Sequence, residues 1–258
     1  MHTLTSRGRP RYIYMMPSKK DIITHLRKEI LILEGLGVQS QDRIMDLGLN
    51  FMTDAFVEKS FPLSAVHEWI SEGPECSAAT AGFTAGLLSG LLKNGGAAVW
   101  ISPSQTIFPT TLKIFGMNPD QIIFIRLRKE KDLNWAMEEA LKCTGLAVVI
   151  CELTELSFTS SRRFQLAVEQ SKTTGLILRT NPKTITPNSC IARWQVKPLP
   201  SFSEKGMPGL GNPRWQVDLL KIRNGKPGSW IIEWSGGRFR EVKESIPSIL
   251  LHSTRKIG

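Results

Sequence analysis

The chain has 258 residues, 41% of them apolar and 22% charged, with 33 Lys and Arg against 23 Asp and Glu for a net charge of +10. That length supports one large α/β domain with a sizeable core, or two small domains, and the apolar share excludes disorder throughout. The charge is uneven. Residues 1–45 carry 8 basic and 4 acidic side chains, residues 46–192 carry 13 and 14, and residues 193–258 carry 12 and 5. A near-neutral middle with basic ends points to polyanions or acidic partners, beside the plainer reading of a solvated basic surface.

In chain order, a basic leader precedes a helical pattern over about residues 19–34, with Ile22, Leu26, Ile30 and Leu33 on one face and Gly35 and Gly37 at its end. From residue 62 onward short apolar runs alternate with helical ones, the pattern of a mostly parallel sheet covered by helices. Strands are predicted at 65–70, 97–101, 122–125, 146–151 and 176–178, and helices at 78–92, 110–115, 133–142 and 160–170. Asp132 stands where it would cap the third helix, whose apolar face is Leu133, Ala136, Met137, Ala140 and Leu141. Along the first predicted helix Ala78, Gly82, Gly86 and Gly90 recur every four residues, a bare face suited to close packing on the sheet.

Past residue 181 the texture changes to Pro, Gly and Trp. The tetrapeptide Arg-Trp-Gln-Val opens strand-like runs at Arg193 and again at Arg214, and residues 215–222 and 230–234 flank a Gly/Pro turn as a β-hairpin. These strands are expected to extend the sheet in antiparallel fashion, with Trp194, Trp215, Trp230 and Trp234 as core or sheet-face residues. The stretch 243–258 has little core-forming pattern.

Several chemistries lose support at this level. Cys76, Cys143, Cys151 and Cys190 form no C-x-x-C pair and have no His at ligand spacing, so no metal site is expected. Cys143 and Cys151 flank an apolar segment and are expected to be buried thiols in a reducing compartment. His67, inside an apolar strand, reads as a satisfied buried side chain rather than a catalytic base. The longest uncharged runs, 76–92 and 94–112, are broken by Gly, Ser, Thr, Asn and Pro, and neither reads as a membrane span, which makes a cytoplasmic protein the expectation.

The segment carrying most information is 65–80, predicted as strand, loop and helix start. That is the setting of a phosphate-binding loop of pattern G-x-x-x-x-G-K-[ST]. Gly73 and Thr80 occupy the first and last positions, but Ala78 and Ala79 stand in place of the second Gly and the Lys. Without the Lys the β and γ phosphates lose a charge-assisted hydrogen bond worth roughly 1.5–3 kcal/mol, and the Ala78 methyl group stands where backbone must approach phosphate. The site is expected to be silent toward ATP.

Here the chain resembles the RecA-like recombinases, and within them the catalytically degenerate ImuA branch, also called SulA-like. Glu68 in the strand, Gly73-Pro74-Glu75 and Ser77 match the RecA pattern up to the break at Ala78 and Ala79. The strand ending at Ile101 resembles the one that leads to a catalytic glutamate, but Ser102-Pro103-Ser104-Gln105 follows it. Ala147 to Glu152 resembles a Walker B strand, with Glu152 at or beside the metal-associated acid. The likeness to the ImuA branch covers roughly 45–240 and includes Phe61-Pro62-Leu63, His67-Glu68, Trp135-Ala136, Ser161-Arg162-Arg163-Phe164, Arg193-Trp194, Arg214-Trp215 and Gly228-Ser229-Trp230.

The resemblance implies an α/β fold, a RecA-like three-layer sandwich with a mostly parallel central sheet and C-terminal antiparallel strands. It divides the chain into a basic leader and helix (1–44), a RecA-like core (45–240) and a basic tail (241–258). It implies a non-enzymatic accessory protein of SOS-type damage response and error-prone translesion synthesis, with no cofactor. The partners it implies are an ImuB-type Y-family polymerase homologue, RecA and, indirectly, an error-prone replicative-type polymerase. Residues 179–190 fall where RecA-like proteins carry a mobile DNA-contacting loop, so Arg179, Lys183 and Arg193 are expected to face single-stranded DNA, and Arg162 and Arg163 to contact DNA or a partner. Two other functions stay open: a cell-division inhibitor of SulA type, and a weakly active ATP-dependent recombinase-like DNA-binding protein.

Overall fold

The computed structural model describes residues 47–93, 95–104, 107–201 and 211–242. The predicted helix at 19–34, the basic leader and the stretch 243–258 lie outside the described residues. Within them the strand–helix rhythm resolves as β1 (Val66–Ser71), α1 (Gly73–Leu91), β2 (Ala97–Ser102), a 3-10 helix (Pro109–Phe115), β3 (Ile122–Arg126), α2 (Glu130–Leu141), β4 (Leu146–Leu153), α3 (Phe158–Ser171) and β5 (Thr174–Thr180). Then follow β6 (Ala192–Leu199), β7 (Arg214–Ile222), β8 (Gly228–Ser235) and β9 (Arg238–Glu241).

All nine strands form one sheet in the order β3-β2-β4-β5-β1-β6-β7-β8-β9. From β3 to β6 every pairing is parallel, and β6 to β9 run antiparallel. The predicted hairpin is the β7–β8 pair, and the two Arg-Trp-Gln-Val segments lie in the neighbouring strands β6 and β7, where they meet only at Val196↔Val217.

Because helices cover both faces, the central strands are buried on both sides rather than alternating; β1 is buried at all six positions, including His67, Glu68 and Ser71. One face packs α2 and α3 through Leu133, Met137, Leu141, Phe164 and Val168 onto Val66, Val149, Cys151 and Ile177. The other face packs α1. A Cβ on Gly86 would fall 2.5 Å from Phe239 Cζ and 3.0 Å from Trp234 Cζ3, and one on Gly82 3.3 Å from Trp215. The bare helix face is therefore the seat of the aromatic side chains of β7 to β9, as its four-residue repeat predicts.

His67 is wholly buried on this second face, stacked on Phe61 with ring centroids 4.4 Å apart. Its Nε2–H donates to the Pro62 carbonyl (2.7 Å), and Nδ1 accepts from the Trp194 indole (3.2 Å). A neutral imidazole satisfies both bonds, and burial pushes the ring's pKa down to about 4. This is the satisfied interior histidine that its strand context suggests.

Three local expectations need correction. Helix α1 begins at Gly73, five residues before the predicted start, because Pro74 and Glu75 serve as good first-turn residues. The cap of α2 is Lys129; Asp132 lies within the first turn with Glu130, where the helix dipole favours it without capping. Of the two thiols expected to be buried, Cys151 is, but Cys143 is exposed just past the end of α2. No helix among the described residues is long and apolar enough to cross a membrane.

Candidate functional site

In an open α/β sheet, ligands bind at the carboxyl ends of the strands where the chain changes direction. Here that corner is the end of β1, the start of α1 and the end of β5. Its decisive feature is that no loop separates β1 from α1. Glu72 is the single residue between the strand and a helix that runs unbroken through Gly73, Ala78, Ala79 and Thr80. The positions that would form a phosphate loop are instead the first two turns of α1, so an anion there would meet the free N–H groups of a helix start and not a separate loop cradle.

Several polar groups at the helix start are bonded within the protein. Gly73, at φ +80, donates its N–H to Asn181 Oδ1 (2.7 Å), and Asn181 returns its own N–H to the Ser71 carbonyl (2.8 Å). Asn181 sits at φ +48, a left-handed conformation that Asn tolerates better than most residues. Ser77 Oγ lies 3.0 Å from the Gly73 carbonyl and 3.2 Å from Thr180 Oγ1. Thr80, where a magnesium-binding hydroxyl would stand, is 1% exposed with Oγ1 2.8 Å from Ser71 Oγ. Glu152 accepts a hydrogen bond from the buried Trp100 indole (2.8 Å). At the end of β2, Ser102 Oγ donates to the Ser104 carbonyl. Gly73, Ser77, Thr80 and Glu152 thus each make a hydrogen bond within the protein, and Ala79 offers no cation.

The opposite face of the same strands holds a buried ion cluster. Glu68 has a wholly buried carboxylate that accepts from Arg179 Nη1 (2.7 Å), Arg193 Nε (2.6 Å) and Asn188 Nδ2 (2.8 Å). Arg179, also wholly buried, donates further to Glu155 (2.9 Å) and to the carbonyls of Thr154 and Thr184. A charge buried without such partners would be prohibitively costly, so these groups stand or fall together.

This corrects the expectation for the 179–190 loop. Arg179 and Arg193 are brought together, but on Glu68 and not on a nucleic-acid surface; Arg193 keeps only 13% of its side chain exposed. The loop is pinned along its length: Lys183 N–H on Glu155, Arg193 on the Thr186 carbonyl, Asn188 on Glu68, and Ser189 N–H on Ser161 Oγ. Of the predicted contact residues, Lys183, Arg162 and Arg163 are exposed. Arg162 and Arg163 lie in the second turn of α3, and Arg163 pairs with Glu138 of α2 (2.6 Å). The roles of Glu155, Asn181 and Asn188 escaped sequence reasoning. The one available signal was Glu68, a charge inside an apolar strand that demanded a buried partner somewhere.

No family model matches the chain. Two curated relatives do, Protein ImuA from two strains of Caulobacter vibrioides (NA1000 / CB15N and ATCC 19089 / CIP 103742 / CB 15). Each is 30% identical over 209 residues, which span 76% of this chain and 86% of the relative. The chain belongs to the ImuA family. Among solved structures, that of the RadB recombinase matches with a TM-score of 0.53 at 13% identity, covering 78% of this chain and all of the RadB chain. At that identity the likeness concerns the fold, which is RecA-like with antiparallel strands added at the C-terminal side of the sheet. The ImuA-family chain therefore has a RecA-like fold in which residues 73–80 lie in helix α1.

Proposed function

We propose that this ImuA-family chain is a non-catalytic RecA-like accessory protein of damage-induced, error-prone translesion synthesis. It acts as an adaptor between an ImuB-type polymerase homologue and RecA, and reaches an error-prone replicative-type polymerase only through them. The observation that carries this reading is the continuous helix from Gly73 through Thr80, with Ala79 in the lysine position and the Gly73 amide bonded to Asn181. Phosphoryl transfer depends on positioned cations and a metal around the phosphates. Here the lysine is missing, the threonine hydroxyl is turned inward, and Glu152 is engaged by Trp100.

Single-stranded DNA, if held, meets the exposed Lys183 and Arg162 rather than Arg179. Such binding should weaken with salt at a log–log slope of about −0.7 per phosphate contacted. The test is direct. The purified chain should show no ATP turnover with magnesium, with or without single-stranded DNA, and should co-elute with the ImuB-type homologue or RecA in size-exclusion chromatography. Turnover that disappears on Thr80→Ala would refute the non-catalytic reading, and elution apart from both proteins would refute the adaptor.

A further inference from the structure

Helices α2 and α3 bury one stripe each against the sheet, and their other sides carry large apolar side chains that the core does not use. Trp135 on α2 is 64% exposed, and on α3 Phe158 is 61% and Leu166 44% exposed. Of the seven tryptophans, Trp135 is the one that is exposed. Single exposed apolar residues need no explanation, but these three lie on adjoining helices. The Arg163–Glu138 ion pair (2.6 Å) ties the helices together. Trp135 stands one turn before Glu138, and Arg162 stands beside Arg163. Phe158 and Leu166 are four residues to either side of Arg162, so they share its stripe of α3. Arg162 itself is exposed and has no ion-pair partner among the described residues.

Charge says what covers this surface. Glu130 turns inward and accepts from the N–H groups of Thr154 and Glu155. The rest of α2 still holds Asp132, Glu138 and Glu139 against Lys131 alone, whereas α3 holds Arg162 and Arg163 against Glu169. One helix is net acidic and its neighbour net basic. A uniformly acidic partner would be drawn by α3 and repelled by α2, and a basic one the reverse. A second copy, turned so that α2 of each chain lies over α3 of the other, satisfies both helices at once. That is the self-matching patch of a closed twofold pair. It sets the Trp135 ring of each chain against the Arg162 guanidinium of the other, the aromatic and the cation that most often anchor an interface, with Phe158 and Leu166 beside them to exclude water.

We infer that the α2–α3 face pairs two copies of this chain about a twofold axis, with Trp135 of each on Arg162 of the other. The inference goes beyond the adaptor reading and does not rest on it. Pairing covers Arg162 and leaves Lys183, on the 181–190 loop, free.

The experiment is sedimentation velocity of the full-length chain over roughly 1–200 µM, since an interface of two adjoining helices is small and associates in the micromolar range. A dimer should form, and acrylamide quenching of tryptophan emission should fall as it does. Trp135→Ala, Arg162→Glu and Glu139→Arg should each weaken the dimer about tenfold or more. Both charge reversals suit the helix dipole, because Arg162 lies in the second turn of α3 and Glu139 in the last turn of α2, so circular dichroism and thermal unfolding should match the unmodified chain. An equimolar mixture of Arg162→Glu and Glu139→Arg should associate where neither does alone, because each mixed pair regains two opposite-charge contacts. A chain that stays monomeric over the whole range, variants that pair as the unmodified chain does, or a mixture that fails to associate would each overturn the inference. So would a dimer dissolved by Ile123→Lys and untouched by the α2 and α3 substitutions, because the pair would then form elsewhere. A monomer whose co-elution with the ImuB-type homologue or RecA is lost in Trp135→Ala would overturn it too, by assigning the face to a different protein.

Discussion

β1 and β3 belong to one sheet, yet they treat exposed and buried chemistry in opposite ways. β1 lies at the centre, buried at every position, and carries an ionised carboxylate and an imidazole at adjacent residues pointing to opposite faces. Their hydrogen-bond partners are internal: Arg179, Arg193 and Asn188 around Glu68, and Pro62 and Trp194 around His67. β3 carries isoleucine and phenylalanine into solvent and ends in a run of cations. The difference teaches how one sheet can close its centre around charged groups and leave its edge strand with apolar side chains in solvent.

The comparison breaks most readily at Glu68. Glu68→Ala leaves Arg179 and Arg193 without the carboxylate that joins them, and removing one partner of a buried pair costs about 3–5 kcal/mol. Urea denaturation should show that loss in unfolding free energy, together with faster proteolysis of the 181–190 loop that the cluster anchors. A loss under about 1 kcal/mol would mean that water reaches the cluster and that the centre is less closed than β1 suggests.

His67 tests the other face of the same strand. Burial holds its ring neutral down to about pH 4, against 6.5 when unfolded, so the unfolded chain takes up the proton first as pH falls. The associated stability is complete above about pH 6.5 and is lost progressively as pH falls through 4. Over that window the gap amounts to roughly 3 kcal/mol. Unfolding free energy measured at pH 7 and pH 4.5 should fall more steeply in the unmodified chain than in His67→Gln. Equal slopes would show that the imidazole is hydrated in the native state.

Asn181 gives a smaller and more local effect. Asn181→Gly keeps a residue at ease with positive φ and removes the side-chain bond to the Gly73 amide, for an expected loss of about 1 kcal/mol. It should not create ATP turnover, because Ala79 still lacks a cation and residues 73–80 remain helical. Adding Ala79→Lys to Asn181→Gly sharpens the point: hydrolysis gained by the pair would mean that the corner is only plugged and not rebuilt.

Sequence patterns made the scaffold legible where burial and apolar character coincide. The five core strands, the bare face of α1 and the β7–β8 hairpin follow from periodicity, Gly spacing and a turn motif. β5 shows where that logic runs out. Its apolar signal covers 176–178, while the strand spans Thr174–Thr180, because Arg179 is a buried cation neutralised by an acid 111 residues away. The same distance hid the loop: Arg179 and Arg193 look like solvent-facing cations until Glu68 is seen between them. At Gly73–Thr80 the spacing of a phosphate loop was legible, but the helical conformation of its first residues, Pro74 and Glu75 in the first turn of α1, was not.

The smallest expected effect lies at β3, and it separates an edge side chain that faces solvent from one that is part of the core. Ile123→Lys replaces an apolar side chain that is more than half exposed. The backbone pairing Val99↔Ile123 does not depend on the side chain, and surface substitutions away from caps, cavities and buried charges shift stability within about 0.5 kcal/mol. Unfolding of this variant should therefore coincide with that of the unmodified chain. A loss above about 1.5 kcal/mol would place Ile123 in the fold's own packing, and the contrast between a closed centre and an open edge would collapse at the one residue where it is greatest.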